Sequence, residues 1–310
     1  MGVSNAQLLI LPSDIDSQMR KNAGMRQFDF KYLFSMFVFA LLMVTAGQTK
    51  GQNERKIAKE FVKTFKPAKI LLLLPKNIYK YNQKSHILDS LSYKTQQEKE
   101  ELLWQHSKFI RLIDDSVFLT RLAKGYAAEL KVFGIRVFRA QQTAQFFSAG
   151  GNAYVINVAQ AELDEQYYPF TDTAFVDDLT YVFRKQLEAL DVNIWFEVSK
   201  VNAGQKKTIG HQVLFAENLL TDRVKGGFSI NDFSGKLQYL YRLDSLTLKK
   251  IYGYAESLGR TYADYTFDYF MNRYLDEHIA ANRRSHRYWR YDPYHHHLFL
   301  GNEDRLVPVK

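Results

Sequence analysis

The residues best suited to binding chemistry lie near the C-terminus, where arginines alternate with aromatic side chains. These candidate residues are Arg283, Arg284, Arg287, Trp289 and Arg290. A guanidinium group donates paired hydrogen bonds to carboxylates and phosphates, and aromatic rings add stacking or cation–π contacts. The five residues therefore form our candidate site for an anionic partner. The alternative is a tail whose aromatic rings pack onto the domain while its arginines stay in solvent.

Three consecutive histidines, His295 to His297, follow this segment and are a possible metal site. Successive side chains of an extended chain point to opposite faces, so at most His295 and His297 can share an ion. A metal site also needs further ligands and groups that orient them. We therefore predict no metal here.

Adjacent carboxylates are possible catalytic acids and bases. They occur at Asp114 and Asp115, Asp164 and Glu165, and Asp177 and Asp178. Acid–base catalysis requires two carboxyl groups held across a cleft, and two of these pairs are placed where they would cap helices. The chain also lacks a G-x-S-x-G elbow and an H-E-x-x-H motif, and no phosphate-loop pattern accompanies the turn at 148–152. We predict no catalytic residues and no cofactor, and we favour a protein that is not an enzyme.

Composition restricts the class of protein and of partner. The chain has 310 residues, no cysteine and a net charge of +9. The absence of thiols excludes disulfides, thiolate metal sites and cysteine nucleophiles. A basic surface attracts acidic proteins, anionic glycans or anionic lipid, so peripheral membrane association is compatible with the charge.

An apolar segment near the N-terminus has the features of an export signal. Arg26 and Lys31 precede an apolar run over 32–46, which is followed by small and polar residues. Fifteen helical residues span about 22 Å, less than the hydrocarbon core of a membrane. We predict a cleaved signal peptide within residues 1–47, translation from Met25, and a periplasmic or outer-membrane-associated protein. Such a location argues against nucleic acid as the partner. An uncleaved anchor or a buried helix is the alternative.

The first half of the chain shows strands that alternate with helices. We predict a buried strand over 69–74, a polar insertion over 76–107 with a helix at 94–103, and a helix from Asp114 or Asp115 to Gly134. Short strands follow at 135–138 and 153–158, separated by a brief helix at 141–147. A further helix starts at Asp177 or Asp178 and has an apolar stripe. The stripe consists of Leu179, Val182, Phe183, Leu187 and Leu190.

The second half changes to the alternation of antiparallel strands. Val192, Ile194, Phe196 and Val198 alternate with Asn193, Trp195, Glu197 and Ser199, which predicts a strand with one solvated face. Its partner is predicted at 213–220. We predict a strand pair at 236–243 and 251–257, a final helix over 261–280, and an irregular tail after 281.

Together these elements predict an α/β fold in three layers. Its mixed sheet has a parallel βαβ half and an antiparallel C-terminal half, and a C-terminal helix closes it. The predicted organisation is an N-terminal extension and signal peptide (1–47), one domain (48–280), and a basic aromatic tail (281–310).

The segments 69–75, 115–138, 153–160, 178–198 and 236–280 give this chain a layout that resembles a known family. It is similar to the α/β periplasmic domain of Gram-negative envelope lipoproteins, including the penicillin-binding-protein activators and the periplasmic part of the curli secretion channel. Residues 44–48 (VTAGQ) resemble a lipobox in which Gln48 replaces the cysteine. Together with the export signal and the lack of catalytic motifs, the resemblance leads us to expect a non-enzymatic envelope protein that binds a partner through sheet edges and the basic aromatic tail. The alternative is an exported hydrolase or glycan-binding enzyme with its site under residues 76–107.

Overall fold

Strands and helices alternate at the start of the fold, and long strands form its middle. The structure is a computed structural model that describes residues 53–65, 69–85, 88, 93–149, 153–176, 178–202, 207–285, 287–301 and 306–309, without the side chains of 202 and 207–209. Residues 54–310 form one compact unit. The predicted start at Met25 and the predicted signal segment lie outside the described residues. No helix in the described ranges is long and apolar enough to span a membrane.

The strands are β1 (Lys69–Leu73), β2 (Tyr79–Asn82), β3 (Arg136–Arg139), β4 (Ala153–Val176), β5 (Leu179–Asn202), β6 (Lys207–Thr221), β7 (Arg223–Ile230), β8 (Leu237–Asp244), β9 (Tyr288–Asp292), β10 (His297–Gly301) and β11 (Val307–Pro308). The helices are α1 (53–64), α2 (Gln96–Gln105), α3 (Asp115–Val132), α4 (Thr143–Ser148) and α5 (Leu248–His278).

The main sheet is mixed, as the sequence predicts. Its strand order is β11-β6-β5-β4-β1-β3, and β2 pairs with β4 further along the same edge as β1. The pairs β1–β3, β1–β4 and β2–β4 are parallel, whereas β4, β5, β6 and β11 pair antiparallel. Parallel and antiparallel halves therefore meet at β4, which belongs to both.

Helices cover the two faces of this sheet unequally. Ile70 and Leu72 of β1 face the large core, which α1, α3 and α5 complete. Leu71 points to the other side and packs with Phe146 of α4 in a smaller cluster. These three layers, closed by the C-terminal helix α5, confirm the predicted fold class.

Helix α3 forms where its sequence predicts it. Asp114 caps the helix by accepting the backbone N–H of Val117 at 3.0 Å. The helix ends before Gly134, whose φ of 77° is one that glycine adopts without strain. Its apolar stripe, which includes Leu122 and Leu130, is buried against α5 and the sheet.

The helix predicted from Asp178 to Leu190 is wrong, because these residues form the first half of strand β5. Asp178, with a φ of 61°, lies in the turn that joins β4 to β5, and Asp177 lies outside the described residues. Strands β4 and β5 pair without a break, from the pair Ala174 and Tyr181 near the turn to the pair Glu162 and Asn193 in the middle of the sheet. Tyr181, Val182 and Phe183 are strand-forming residue types, so tertiary pairing overrides the helical spacing.

The strand predicted at 251–257 is also wrong, since this segment begins helix α5. Thr247 caps the helix by accepting the N–H of Lys250 at 3.3 Å. Ile251, Ala255 and Leu258 are then buried along one helical face. The strand β8 instead pairs with β7, and Tyr241 of this small sheet stacks on Phe183 of β5 at 3.8 Å.

Two polar segments are more ordered than the sequence predicts. The segment 76–107 contains the predicted helix, now α2, but also strand β2, which joins the main sheet. The tail after 281 is a hairpin of β9 and β10 rather than irregular chain. Both segments are held by buried polar contacts that no local pattern reveals.

Candidate interaction surface

The second face of the main sheet bears rows of polar and aromatic side chains beyond the end that α4 covers. Residues that are paired across strands lie on the same face, so the rows follow from the register. One row is Tyr79, Glu162, Asn193 and Glu217, and the next is Tyr81, Asp164, Asp191 and Leu219. Gln160, Trp195 and Phe215 form a third row. We call these three rows the open face.

Aromatic side chains lie in all three rows of the open face. Tyr79 and Tyr81 on β2 are 56% and 46% exposed. In the third row the rings of Trp195 and Phe215 pack with their centroids 4.8 Å apart. Tyr79 and Tyr81 are thus exposed, whereas Trp195 and Phe215 are half-buried, and accessible aromatic rings are typical of surfaces that bind a partner.

Carboxylates and amides occupy the centre of the open face. Asn193 Nδ2 donates to Asp164 Oδ2 at 3.1 Å, and the side-chain amide of Gln166 donates to the Asp191 carboxylate. Within the described chain, Asp164 Oδ1 and Asn193 Oδ1 are buried atoms without a hydrogen-bond partner. Acceptors that remain unpaired suit a partner that brings donors.

The electrostatics of the open face are those of uncompensated negative charge. Burial, followed by repulsion from Glu217 and Asp164, raises the pKa of Asp191 to about 6. Burial, followed by the charges of Glu162 and Glu217, also raises the pKa of Asp164. The three rows contain no lysine or arginine. A cation placed here would therefore relieve like-charge repulsion.

The adjacent carboxylates singled out in the sequence take different roles. Asp164 belongs to the open face, whereas Glu165 points to the opposite side and is fully buried. Asp114 caps α3, and Asp115 forms an ion pair with Lys80 at 2.6 Å. The two members of each pair thus act separately, and for Asp164 and Glu165 the alternation of side chains along a strand is the reason.

Three of the five predicted binding residues of the tail make contacts within the domain. Trp289 is buried and donates its indole N–H to Glu54 at 2.9 Å. Arg284 lies 2.8 Å from Asp276 and 3.5 Å from Glu54.

The other three arginines of the predicted set differ in whether they contact the domain. Arg290 Nε donates to Asp268 at 3.2 Å, so this guanidinium also helps to hold the hairpin. The side chains of Arg283 and Arg287 are exposed. Of the predicted set, these two are the ones that present a guanidinium group to solvent.

The histidines of the hairpin do not converge on one point. His295 Nδ1 lies 2.6 Å from Asp292, and His296 Nδ1 lies 3.0 Å from the hydroxyl of Tyr291. Throughout the described ranges there is no group of three or more histidine, aspartate or glutamate side chains placed to hold a metal ion.

The sequence contained part of the signal for the open face. Alternation in β5 predicted that Asn193, Trp195 and Glu197 share a solvated face, and they do. The contribution of Tyr79, Tyr81 and Asp164 depends on strand pairing over long sequence distances. No local pattern of the sequence indicates that contribution.

Comparison with known proteins adds little to this description. No protein-family model and no curated protein matches the chain. A structure with partial similarity is a chain from Helicobacter pylori assigned provisionally as a neuraminyllactose-binding hemagglutinin homolog. The two chains share 9% identity with a TM-score of 0.28, over 68% of this chain and 91% of the other. At this score we draw no conclusion about fold or function from the similarity.

Proposed function

We propose that the protein is an exported, non-enzymatic accessory protein of the cell envelope and that its open face binds a cationic segment of a partner protein. One observation carries the proposal. Four carboxylates, those of Glu162, Asp164, Asp191 and Glu217, lie in two adjacent rows that contain no cation. A lysine- or arginine-rich segment would neutralise them and supply hydrogen-bond donors.

The aromatic side chains support a protein segment rather than a single small ion. Tyr79 and Tyr81 in the first two rows and Trp195 and Phe215 in the third provide apolar area beside the charges. Such a combination gives a binding surface both contact area and charge complementarity. The carboxylates lie on an open sheet rather than across a cleft, and hydrolysis of a glycosidic bond requires a cleft.

A charge-neutralising double variant tests the open face. We expect Asp164→Asn with Asp191→Asn to weaken binding of a lysine-rich peptide about tenfold at low ionic strength. Binding to the unaltered protein should weaken with added salt, because exposed charges are screened. The control is Glu60→Gln with Asp232→Asn, which removes the same charge from exposed positions outside the three rows. Equal affinities for the two double variants would refute the proposal.

Glycan binding is a second candidate function, favoured by the planar amides of Gln160 and Asn193 beside exposed aromatic rings. Sugars bind through stacking and neutral hydrogen bonds, so their binding depends little on salt. Binding of a neutral oligosaccharide that is insensitive to salt, and is lost in Tyr79→Ala with Tyr81→Ala, would favour this function over the first.

The exposed arginines of the tail are proposed as a separate contact with an acidic envelope protein or an anionic glycan or lipid surface. Arg283→Gln with Arg287→Gln removes both charges without touching the buried contacts of Arg284, Trp289 and Arg290. We expect this variant to bind anionic vesicles less well at low salt. Unchanged vesicle binding would remove the tail from the proposal.

The export part of the proposal is supported by the sequence of residues 28–47 and is tested on native material. We expect envelope fractions to contain a protein whose N-terminus lies near residues 47–52. Cytosolic protein that still carries residues 28–47 would overturn it.

A further inference from the structure

A cleft of about 450 Å³ lies on the side of the main sheet opposite to the open face. It is bounded by the end of α1, the second half of α5, and the neighbouring parts of β4, β5 and β6. This volume lies within the range of about 300–1,000 Å³ that is usual for small-molecule sites. The function proposed above makes no use of it.

The floor of the cleft is aromatic. The ring centroids of Tyr154 and Phe270 are 4.3 Å apart, and Phe65 lies 5.9 Å from Tyr154 and 5.5 Å from Phe270. Phe65 and Phe270 are both 5% exposed, so the floor is part of the folded core and does not depend on a ligand to form. A preformed apolar floor favours the ring or hydrocarbon part of a ligand.

The rim of the cleft is cationic. Its cations are those of Lys200 and Arg273, and the imidazole of His278 also lines it. Glu277 is the carboxylate among the lining residues, and it lies 3.9 Å from Arg273 with both side chains about half exposed. An exposed pair of this kind is worth little, so an anionic ligand can compete for the guanidinium group of Arg273.

One histidine of the rim is oriented by a contact within the fold. His278 Nδ1 lies 2.8 Å from the carbonyl oxygen of Tyr274, which makes Nδ1 the donor and leaves Nε2 as the remaining polar atom of the ring. The ring of His278 also stacks on Tyr274 at 3.7 Å. The rim is therefore partly ordered before a ligand binds.

We propose that this cleft binds a small amphipathic organic anion. Its acid group contacts Arg273 and Lys200, and its ring or short apolar part packs on Phe65, Tyr154 and Phe270. The positive charge of the rim favours a negatively charged ligand, and the aromatic floor favours a ligand with an apolar part that can pack on it. Because cleft and open face lie on opposite sides of the sheet and share no residue, this proposal does not depend on the function proposed above.

The test uses two fluorescent probes of similar shape and different charge. The anion 8-anilinonaphthalene-1-sulfonate carries an acid group on its rings, whereas N-phenyl-1-naphthylamine is its uncharged counterpart. We expect Arg273→Gln with Lys200→Gln to weaken binding of the anionic probe about tenfold, with little effect on the neutral probe. Lys249→Gln, which changes an exposed lysine of α5 that does not line the cleft, is the control.

A blocking variant separates this cleft from other apolar surfaces to which such probes bind. Gly210 lines the cleft, and a side chain added there would meet nothing within 4 Å. We expect Gly210→Phe to fold normally and to reduce binding of both probes. Unchanged binding of the anionic probe in Gly210→Phe, or in the double charge variant, would overturn the proposal. Equal sensitivity of both probes to the charge variant would show that the rim does not select anions.

Discussion

Glu54 and Trp289 are 235 positions apart in the chain, yet the indole N–H of Trp289 donates to the carboxylate of Glu54 at 2.9 Å. The same carboxylate accepts the backbone N–H and the hydroxyl of Ser285 at 2.5 and 2.6 Å. Burial raises the pKa of Glu54, but the hydrogen bonds from Ser285 and Trp289 and the charge of Arg284 outweigh it and lower the pKa. One buried carboxylate thus fixes the C-terminal hairpin to the first helix.

Removal of this carboxylate should destabilise the fold strongly. We expect Glu54→Ala to lower the free energy of unfolding by about 3 kcal/mol, because Arg284 and the buried donors of Ser285 and Trp289 lose their acceptor. Urea unfolding followed by tryptophan fluorescence measures the change. Glu60→Ala, at an exposed position of the same helix, should change stability by less than about 0.5 kcal/mol. Similar losses in both variants would contradict this role for Glu54.

A second buried carboxylate should order the loop that precedes α3. Glu165 accepts the backbone N–H groups of Lys108, Phe109 and Ile110 at 2.7, 2.8 and 3.1 Å, and Lys84 Nζ at 2.6 Å. Glutamine would place an NH₂ group against these donors. We expect Glu165→Gln to accelerate hydrogen exchange at the three amides at least tenfold.

The neighbouring strand position provides the control for this exchange experiment. Asp164→Asn makes the same kind of change on the opposite face of β4, where the carboxylate of Asp164 contacts the Asn193 amide of the neighbouring strand. We expect it to leave exchange at 108–110 unaltered. Equal protection in both variants would show that Lys84 or the surrounding packing, rather than Glu165, holds the loop.

The contact between α3 and α5 requires two glycines. A Cβ added to Gly259 would lie 1.9 Å from the carbonyl oxygen of Leu122, and one added to Gly125 would lie 1.9 Å from that of Glu256. Since backbone atoms cannot give way, Gly259→Ala must push the helices apart and should cost about 3 kcal/mol or more of stability.

Another glycine of α5 is a matched control. Gly253 has open space around the position of a Cβ, so Gly253→Ala should stabilise the helix by about 0.5–1 kcal/mol. Thermal unfolding of both variants measures the difference. A Gly259→Ala protein as stable as Gly253→Ala would mean that α3 and α5 are not in close contact.

The parts of the fold that could be predicted are those set by local patterns. Asp114, Gly134 and the stripe between them specify α3, and the apolar run of β1 indicates a strand buried on both faces. The apolar spacing of the segment from Leu179 to Leu190 wrongly predicts a helix. Its strand conformation depends on pairing with β4 and on Phe183 stacking with Tyr241, and neither contact is local.

The open face was predictable only along one strand. Alternation in β5 places Asn193 and Trp195 on a solvated face, whereas the neighbouring carboxylates come from β4 and β6 and the tyrosines from β2. Register decides which side chains become neighbours, and no single segment encodes it. In the tail the sequence pattern instead suggests a surface contact that is not there for Trp289. This side chain is predicted to contact a partner, but it packs in the core.

Stability should also depend on pH through a group of acids under the C-terminal hairpin. Burial, followed by repulsion from Glu129 and Asp268, raises the pKa of Asp264 to about 7. Burial also raises the pKa of Asp268 to about 7, although Tyr291 N–H and Arg290 donate to it. Within the described chain, Asp264 Oδ1 and Glu129 Oε1 are buried without a hydrogen-bond partner.

The charged groups around these acids come from three elements. Glu129 of α3 accepts from the hydroxyl of Tyr294 at 3.0 Å and from Arg260 of α5 at 3.4 Å. Arg290 and Asp292 approach from β9. Negative charge exceeds positive charge at this junction, so protonation of an aspartate stabilises the docked hairpin.

An aspartate whose pKa is higher in the folded state than in the unfolded chain binds its proton more tightly when folded. Its stabilising effect is complete below about pH 4 and is lost as the pH rises to about 7, so the free energy of unfolding should fall across this window. Asparagine cannot ionise, so we expect the free energy of unfolding of Asp264→Asn to rise relative to that of the unaltered protein by about 2 kcal/mol between pH 5 and pH 8. Urea unfolding at both pH values measures this difference. Asp232→Asn, which neutralises an exposed carboxylate, should follow the unaltered protein at both. A constant offset between Asp264→Asn and the unaltered protein would show that Asp264 is ionised throughout, and that its protonation does not help to hold the hairpin.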